Sequence, residues 1–118
     1  MANVIPFAFR GELFSGTHNF SSGGNQFKIA LYTANPYTTS STVYDTTSEV
    51  SSGGGSNYTA GGEVLGSQAV AASTAVASVD FADATWSSAT FTAAFAAIYN
   101  DTNSDKLCVV LDFGGNKT

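Results

Sequence analysis

The feature that most constrains this chain is the way short apolar runs, rich in β-branched and aromatic residues, are separated by clusters of Gly, Ser, Asn and Asp. Runs of that length and make-up fit a pleated, half-buried strand, and the clusters between them supply turns. In Phe27-Lys28-Ile29-Ala30-Leu31-Tyr32-Thr33, the residues Phe27, Ile29 and Leu31 alternate against Lys28, Ala30 and Tyr32. One face of that strand is buried, and the other, less strictly polar, is partly covered. Two further β-compatible stretches cover residues 63–73 and 74–81. The Ala-rich run 69–77 has helical propensity, but its Val, Ser and Thr residues and the glycines before it favour strand. Small side chains there suit close sheet packing or contact with a neighbouring subunit. Asp83-Ala84-Thr85-Trp86 reads as a turn into a long strand candidate at 90–99. Residues 106–113 read as its hairpin partner across a polar loop of about six residues, with Gly114-Gly115 ending the strand.

These runs predict a single-domain, all-β fold, an antiparallel β-sandwich or jelly-roll-like architecture with a short N-terminal helical or extended arm. The arm covers residues 1–26 and the β-domain residues 27–118. Within the arm, residues 7–14 are the one helical candidate, with Phe9, Leu13 and Phe14 sharing a face before Gly16 stops it. Residues 34–62 form a long Ser/Thr/Gly-rich loop, in which Val43-Tyr44 is the short-strand candidate. At 118 residues, with 43% hydrophobic and 13% aromatic residues, the chain has enough apolar surface for one core.

Charge excludes several function classes. Charged residues make up 11%, against roughly 25% in ordinary soluble domains. The net charge is -5, and the cations Arg10, Lys28, Lys106 and Lys117 are dispersed. A nucleic-acid or anionic-lipid surface needs clustered Lys and Arg, so neither partner is expected. No apolar stretch approaches the roughly 20 residues of a membrane span, and the N-terminus lacks the basic and apolar regions of a signal peptide. Synthesis and assembly in a cytoplasm are expected.

No constellation of residues predicts catalysis, a cofactor or a metal. His18, in Gly16-Thr17-His18-Asn19, reads as a solvated or locally hydrogen-bonded loop residue without the second histidine a metal site would need. Cys108 lies inside Leu107-Cys108-Val109-Val110-Leu111 and reads as a buried, inert thiol. Asp101-Thr102-Asn103-Ser104-Asp105 opens like a calcium loop, but Lys106 stands where the sharp turn requires Gly, so a hairpin turn is preferred. Gly53-Gly54-Gly55 lacks the Lys and preceding strand of a phosphate loop. Asp80 and Asp83 suit the capping of local backbone amides. Trp86 reads as a core anchor, with a sugar-binding platform of Tyr37, Tyr44, Tyr58 and Trp86 as the competing use.

One resemblance spans most of the chain from about Phe9 onward. The ordered blocks Phe27-Lys28-Ile29-Ala30-Leu31-Tyr32, Glu49-Val50, Tyr58-Thr59-Ala60-Gly61-Gly62, Asp80-Phe81-Ala82-Asp83-Ala84-Thr85-Trp86, Ala97-Ile98-Tyr99-Asn100 and Leu111-Asp112-Phe113-Gly114-Gly115 resemble a family of small tailed-bacteriophage virion proteins, some associated with head decoration. Members of that family continue past the last block into a further apolar strand, so here the sequence is either cut short or its sheet is completed differently, as by another subunit. The resemblance implies a structural virion protein. Low charge, small residues and polar loops likewise suit a protein that packs in many symmetric copies. The expectation is a non-enzymatic capsid decoration or cement protein that contacts the major capsid protein and itself, anchored by Phe7, Phe9, Leu13 and Phe14. Its alternatives are a tail or fibre component binding host surface glycan, and a tail-tube or connector component.

Overall fold

The computed structural model describes residues 3–53 and 55–118. Its elements, in chain order, are α1 (Phe7–Phe14), β1 (Phe27–Tyr32), β2 (Glu63–Leu65), β3 (Ala69–Ser73), β4 (Val76–Asp80), β5 (Ala93–Asn100) and β6 (Lys106–Lys117). The chain is mostly β, in two antiparallel sheets. One is four-stranded with the order β2-β1-β5-β6, and the other is the β3-β4 hairpin alone.

The alternation read in β1 is used on both faces. Ala30 and Tyr32 pack with Ala97, Tyr99, Leu107 and Val110 on one side. On the other, Leu31 joins Val50, Tyr58 and Ala96, and Phe27 joins Leu65 and Cys108. Small residues at the middle of β5 let these layers close: Ala96 and Ala97 are both fully buried. What covers the sheet is irregular chain. Tyr37 and Tyr44 of the long loop lie over the first face. Phe9 and Phe20 of the N-terminal arm, with Trp86 and Phe91, lie over the second.

The 34–62 loop is held by hydroxyl chemistry. Tyr32 and Tyr37 share a 2.5 Å hydrogen bond, and both meet the backbone of Asp45. The Glu49 carboxylate accepts from the Tyr44 hydroxyl, from the Tyr58 hydroxyl at 2.6 Å and from the Gly61 N–H at 2.8 Å. Tyr58 in turn accepts from the Leu31 N–H at 3.0 Å, and Tyr99 donates to the Gly61 carbonyl at 2.6 Å. All five tyrosines of the chain therefore serve two hydrogen-bonded clusters, one at Asp45 and one at Glu49, that fasten the loop to the sheet. Burial raises the Tyr32, Tyr37, Tyr44, Tyr58 and Tyr99 hydroxyls above their usual range, so the neutral donors persist at ordinary pH. Val43 makes a single β-bridge to Lys106, the trace of strand expected at Val43-Tyr44.

Expected boundaries change: β4 is confined to Val76–Asp80, and β5 opens at Ala93 and not at residue 90. The stretch 63–73 divides into β2 and β3, because Ser67 takes a φ of 52° and turns the chain out of the main sheet. Gly114-Gly115 does not end the last strand, since β6 runs on to Lys117. A register shift absorbs the additional residues, with Phe95 opposite Asp112 and Ala93 opposite Lys117. The φ of 78° at Gly114 supplies the bend that such an irregularity requires.

The outer edge of β6 is occupied by the N-terminal arm. Val4 exchanges hydrogen bonds with Val110, at 2.9 and 2.8 Å, and the Asn3 side chain accepts from the Asp112 N–H at 2.7 Å. No helix is long and apolar enough to cross a membrane among the described residues.

Candidate functional site

Helix α1 begins just after Pro6, which is extended and precedes the first turn, and ends where Gly16 adopts a φ of 74°. It is only eight residues long, with neither an acidic first turn nor a basic last turn, so packing must hold it. Phe9 and Glu12 provide that packing. The Phe9 ring lies 4.9 Å from His18 and 6.2 Å from Phe20, which itself stacks on Phe27 at 4.3 Å.

His18 is the hydrogen-bonded loop residue of the two expected forms and not the solvated one: it is 7% exposed and sits at the centre of a polar lock. The Asn100 Oδ1 accepts the backbone N–H groups of Thr102 and Asn103, which fixes that amide and leaves its Nδ2 to donate to His18 Nδ1 at 3.0 Å. His18 must then carry its proton on Nε2, and it donates to Glu12 Oε1 at 2.8 Å. Lys106 lies 3.5 Å from the other Glu12 oxygen. The signal for this lock was the pairing of one His with several Asn in loops, too weak to read before the chain had been folded.

Cys108 Sγ sits 3.8 Å from His18 Nδ1, an outline of a nucleophile, base and carboxylate. Its chemistry runs the other way. Burial, with the Glu12 charge, pushes the thiol up to about 12, and the His18 nitrogen that would receive its proton already accepts from Asn100. The cluster fastens the arm to β5 and β6, and the expected buried thiol is what the structure shows.

With Phe9 and Glu12 turned inward, the other apolar residues of α1 face out. Phe14 is 95% exposed, Phe7 58% and Leu13 45%, and Ile5 just before the helix is also exposed. Of the four residues expected to anchor a partner, Phe7, Leu13 and Phe14 are exposed, while Phe9 packs on His18 and Phe20 and, with Leu13, lines the groove beside the helix. Beside α1 runs a groove of about 470 Å3, lined on the helix side by Ile5, Phe9 and Leu13, and elsewhere by Ile98, Val109 and by Ala77 and Val79 of β4. An exposed apolar helix beside an open apolar groove is the chemistry of an interaction surface.

Trp86 packs against the Leu31, Val50 and Tyr58 cluster, in line with its reading as a core anchor, and the competing aromatic platform does not assemble. Tyr37 and Tyr58 are buried and their hydroxyls are engaged internally. Trp86 stacks beside Tyr58 at 6.1 Å and meets Phe91 edge-on. Its buried Nε1 has no hydrogen-bond partner among the described residues. It borders an open cleft of about 530 Å3 that also has Asn57, Thr59, Glu63, Thr85 and Ser87 in its walls. The Asp80 carboxylate accepts from the Phe81 N–H at 3.0 Å, as expected of a capping Asp. Among the described residues no cluster of His, Cys, Asp and Glu could hold a metal ion.

Comparison with protein-family models, curated proteins and solved structures finds no match.

Proposed function

We propose that this chain is a non-enzymatic structural protein of a tailed-phage particle, a capsid decoration or cement protein that docks on the major capsid lattice through α1 and the neighbouring groove. The observation that carries the reading is the outward set Phe7, Leu13 and Phe14 beside an apolar groove, on a helix pinned from behind by Phe9, Glu12 and His18. Side chains of this size contribute roughly 1.5–3 kcal/mol each when fully buried, so a partner that covers them gains binding energy at little cost to the fold. The pinned helix is pre-ordered, which lowers the entropy lost on docking. The low charge and the neutral Ser, Thr and Asn surface support close packing of many copies. On this reading the sandwich- or jelly-roll-like closure belongs to the assembled state, in which neighbouring chains cover the β3-β4 hairpin. Serine at Phe7, Leu13 and Phe14 together should leave the isolated chain folded and remove it from particles; unchanged occupancy would overturn the reading.

A tail or fibre role in glycan binding rests on one observation, the unpartnered Trp86 N–H beside a polar cleft. Trp86 is the chain's single tryptophan. Its emission on titration with galactose, mannose and N-acetylglucosamine reports that role directly, and a flat response excludes those sugars from the cleft.

A further inference from the structure

The β3-β4 hairpin stands apart from the rest of the fold. All ten residues of its two strands are exposed, and among the described residues neither strand packs against another helix or strand. An isolated two-stranded hairpin is marginal in water, and the turn here does little to support it. Thr74 and Ala75 form the two-residue connection, yet neither adopts the positive φ that best suits such a turn.

The register shows which backbone groups remain open. Ser73 pairs with Val76 across the two-residue turn, so these two exchange hydrogen bonds. Counting back, Ala72 opposite Ala77 and Val70 opposite Val79 are the non-hydrogen-bonded pairs. The N–H and C=O groups of Val70 and Ala72 therefore point outward from β3. Native proteins guard such an edge with charge, Pro, a bulge or a covering segment. Along β3, Ala69-Val70-Ala71-Ala72-Ser73, there is neither charge nor Pro, and the β3-β4 register is unbroken. The β4 edge ends in Asp80 and its Val79 turns toward the α1 groove, which leaves β3 as the unguarded side.

We propose that a second copy of this chain occupies that edge, with β3 pairing antiparallel to β3 across a two-fold axis at Ala71. The edge is self-complementary about this residue. The axis places Val70 of each copy opposite Ala72 of the other, and these are the residues whose backbone groups point outward. Ala71 meets its own copy at the non-hydrogen-bonded position, where strands approach most closely and a methyl group fits. No charged residue lies between Glu63 and Asp80, so two chains of net charge -5 meet through a neutral element while their charged bodies stay apart. The product is a four-stranded sheet whose face of Val70, Ala72, Ala77 and Val79 doubles in area. This inference is independent of the phage reading.

The test is sedimentation of the full chain over a range of concentrations, with three variants. The unaltered chain and Ala77→Pro, which removes an outward N–H from the other edge, should form dimers. Ala72→Pro, which removes an outward N–H from β3 while sparing the bonds within the hairpin, should weaken dimerisation by at least about tenfold. Ala71→Cys should give a covalent dimer on mild oxidation, because non-hydrogen-bonded partners lie about 4.5 Å apart, within disulfide reach, while Cys108 is buried. Amide exchange at Val70 and Ala72, slow in the dimer and fast on dilution, decides the matter should the Pro variant misfold. A chain that stays monomeric at hundreds of micromolar, a dimer indifferent to Ala72→Pro, or an Ala71→Cys chain that does not cross-link would overturn the proposal. So would an edge taken only by a different protein.

Discussion

Replacing Glu49 with Ala should loosen the whole 34–62 loop, although Glu49 is one residue in a segment with little regular structure. Its carboxylate is the acceptor for the Tyr44 hydroxyl, the Tyr58 hydroxyl and the Gly61 N–H. Hydrogen bonds to a charged acceptor contribute roughly 1.5–3 kcal/mol each, and Tyr58 is 3% exposed, so its hydroxyl cannot readily turn to water instead. Tyr44 is half-buried and recovers part of its loss from solvent. The sum is about 3 kcal/mol, or roughly 10–15 °C in Tm for a domain of this size. Urea unfolding measures the total, and amide exchange measures where it falls. The Val50 N–H, bonded to Leu31, and the Thr33 N–H, bonded to Ser48, should lose protection before the amides of β5. Glu49→Gln, which keeps one acceptor oxygen, should cost about half as much. A loss under about 1 kcal/mol, with loop exchange unchanged, would refute the view that tyrosines and this carboxylate order the loop.

Three further outcomes follow from particular contacts. Gly62→Ala should destabilise by more than about 2 kcal/mol, since its Cβ would fall 1.9 Å from the Ile29 carbonyl oxygen at a φ of 82°, whereas Gly66→Ala, with nothing within 4 Å, should stay within about 0.5 kcal/mol in the same urea titration. Alkali should unfold the protein cooperatively: with the tyrosine hydroxyls raised by burial, their stabilisation is complete below the unfolded value near 10 and is lost as pH climbs toward the higher folded values. Tyrosinate absorbance should therefore rise together with loss of structure, and tyrosinate that accumulates while the fold stays intact would contradict the burial argument. Cys108 should resist a disulfide reagent in the native state at pH 8 and react at once in denaturant, because its thiol is pushed up to about 12; rapid native labelling would contradict its place behind His18.

The main strands were legible because their signal is local. Phe27, Ile29 and Leu31 declare a strand by alternation, and the polar run from Asn100 to Asp105 marks where the chain turns back between β5 and β6. The helix at Phe7–Phe14 was legible in its bounds, yet Phe9 and Leu13 do not predict which side faces inward until His18 and Phe20 are in place. What escaped depends on distance. The Glu49 network joins residues as far apart as Leu31 and Tyr99, and the His18 lock reaches from Glu12 to Cys108. Single tyrosines in a Ser/Thr-rich segment carry no mark of a shared acceptor. The continuation of β6 through Gly114-Gly115 was hidden for a different reason: Gly usually ends a strand, and here it bends one. The exposed hairpin was readable as strand but not as a separate sheet, since Ala, Val and Ser satisfy a pleated surface whether or not anything covers it.

The central claim is that the outward side of α1 is a docking surface on a capsid, and it is tested most directly by the copy number and position of the protein in purified particles. Quantitative mass spectrometry with cryo-electron microscopy should find the unaltered chain in hundreds of copies over the head lattice, with Phe7, Leu13 and Phe14 at the contact, and the triple serine variant missing from it. A few copies at the tail, or a variant that occupies the head as fully as the unaltered chain, would contradict the account.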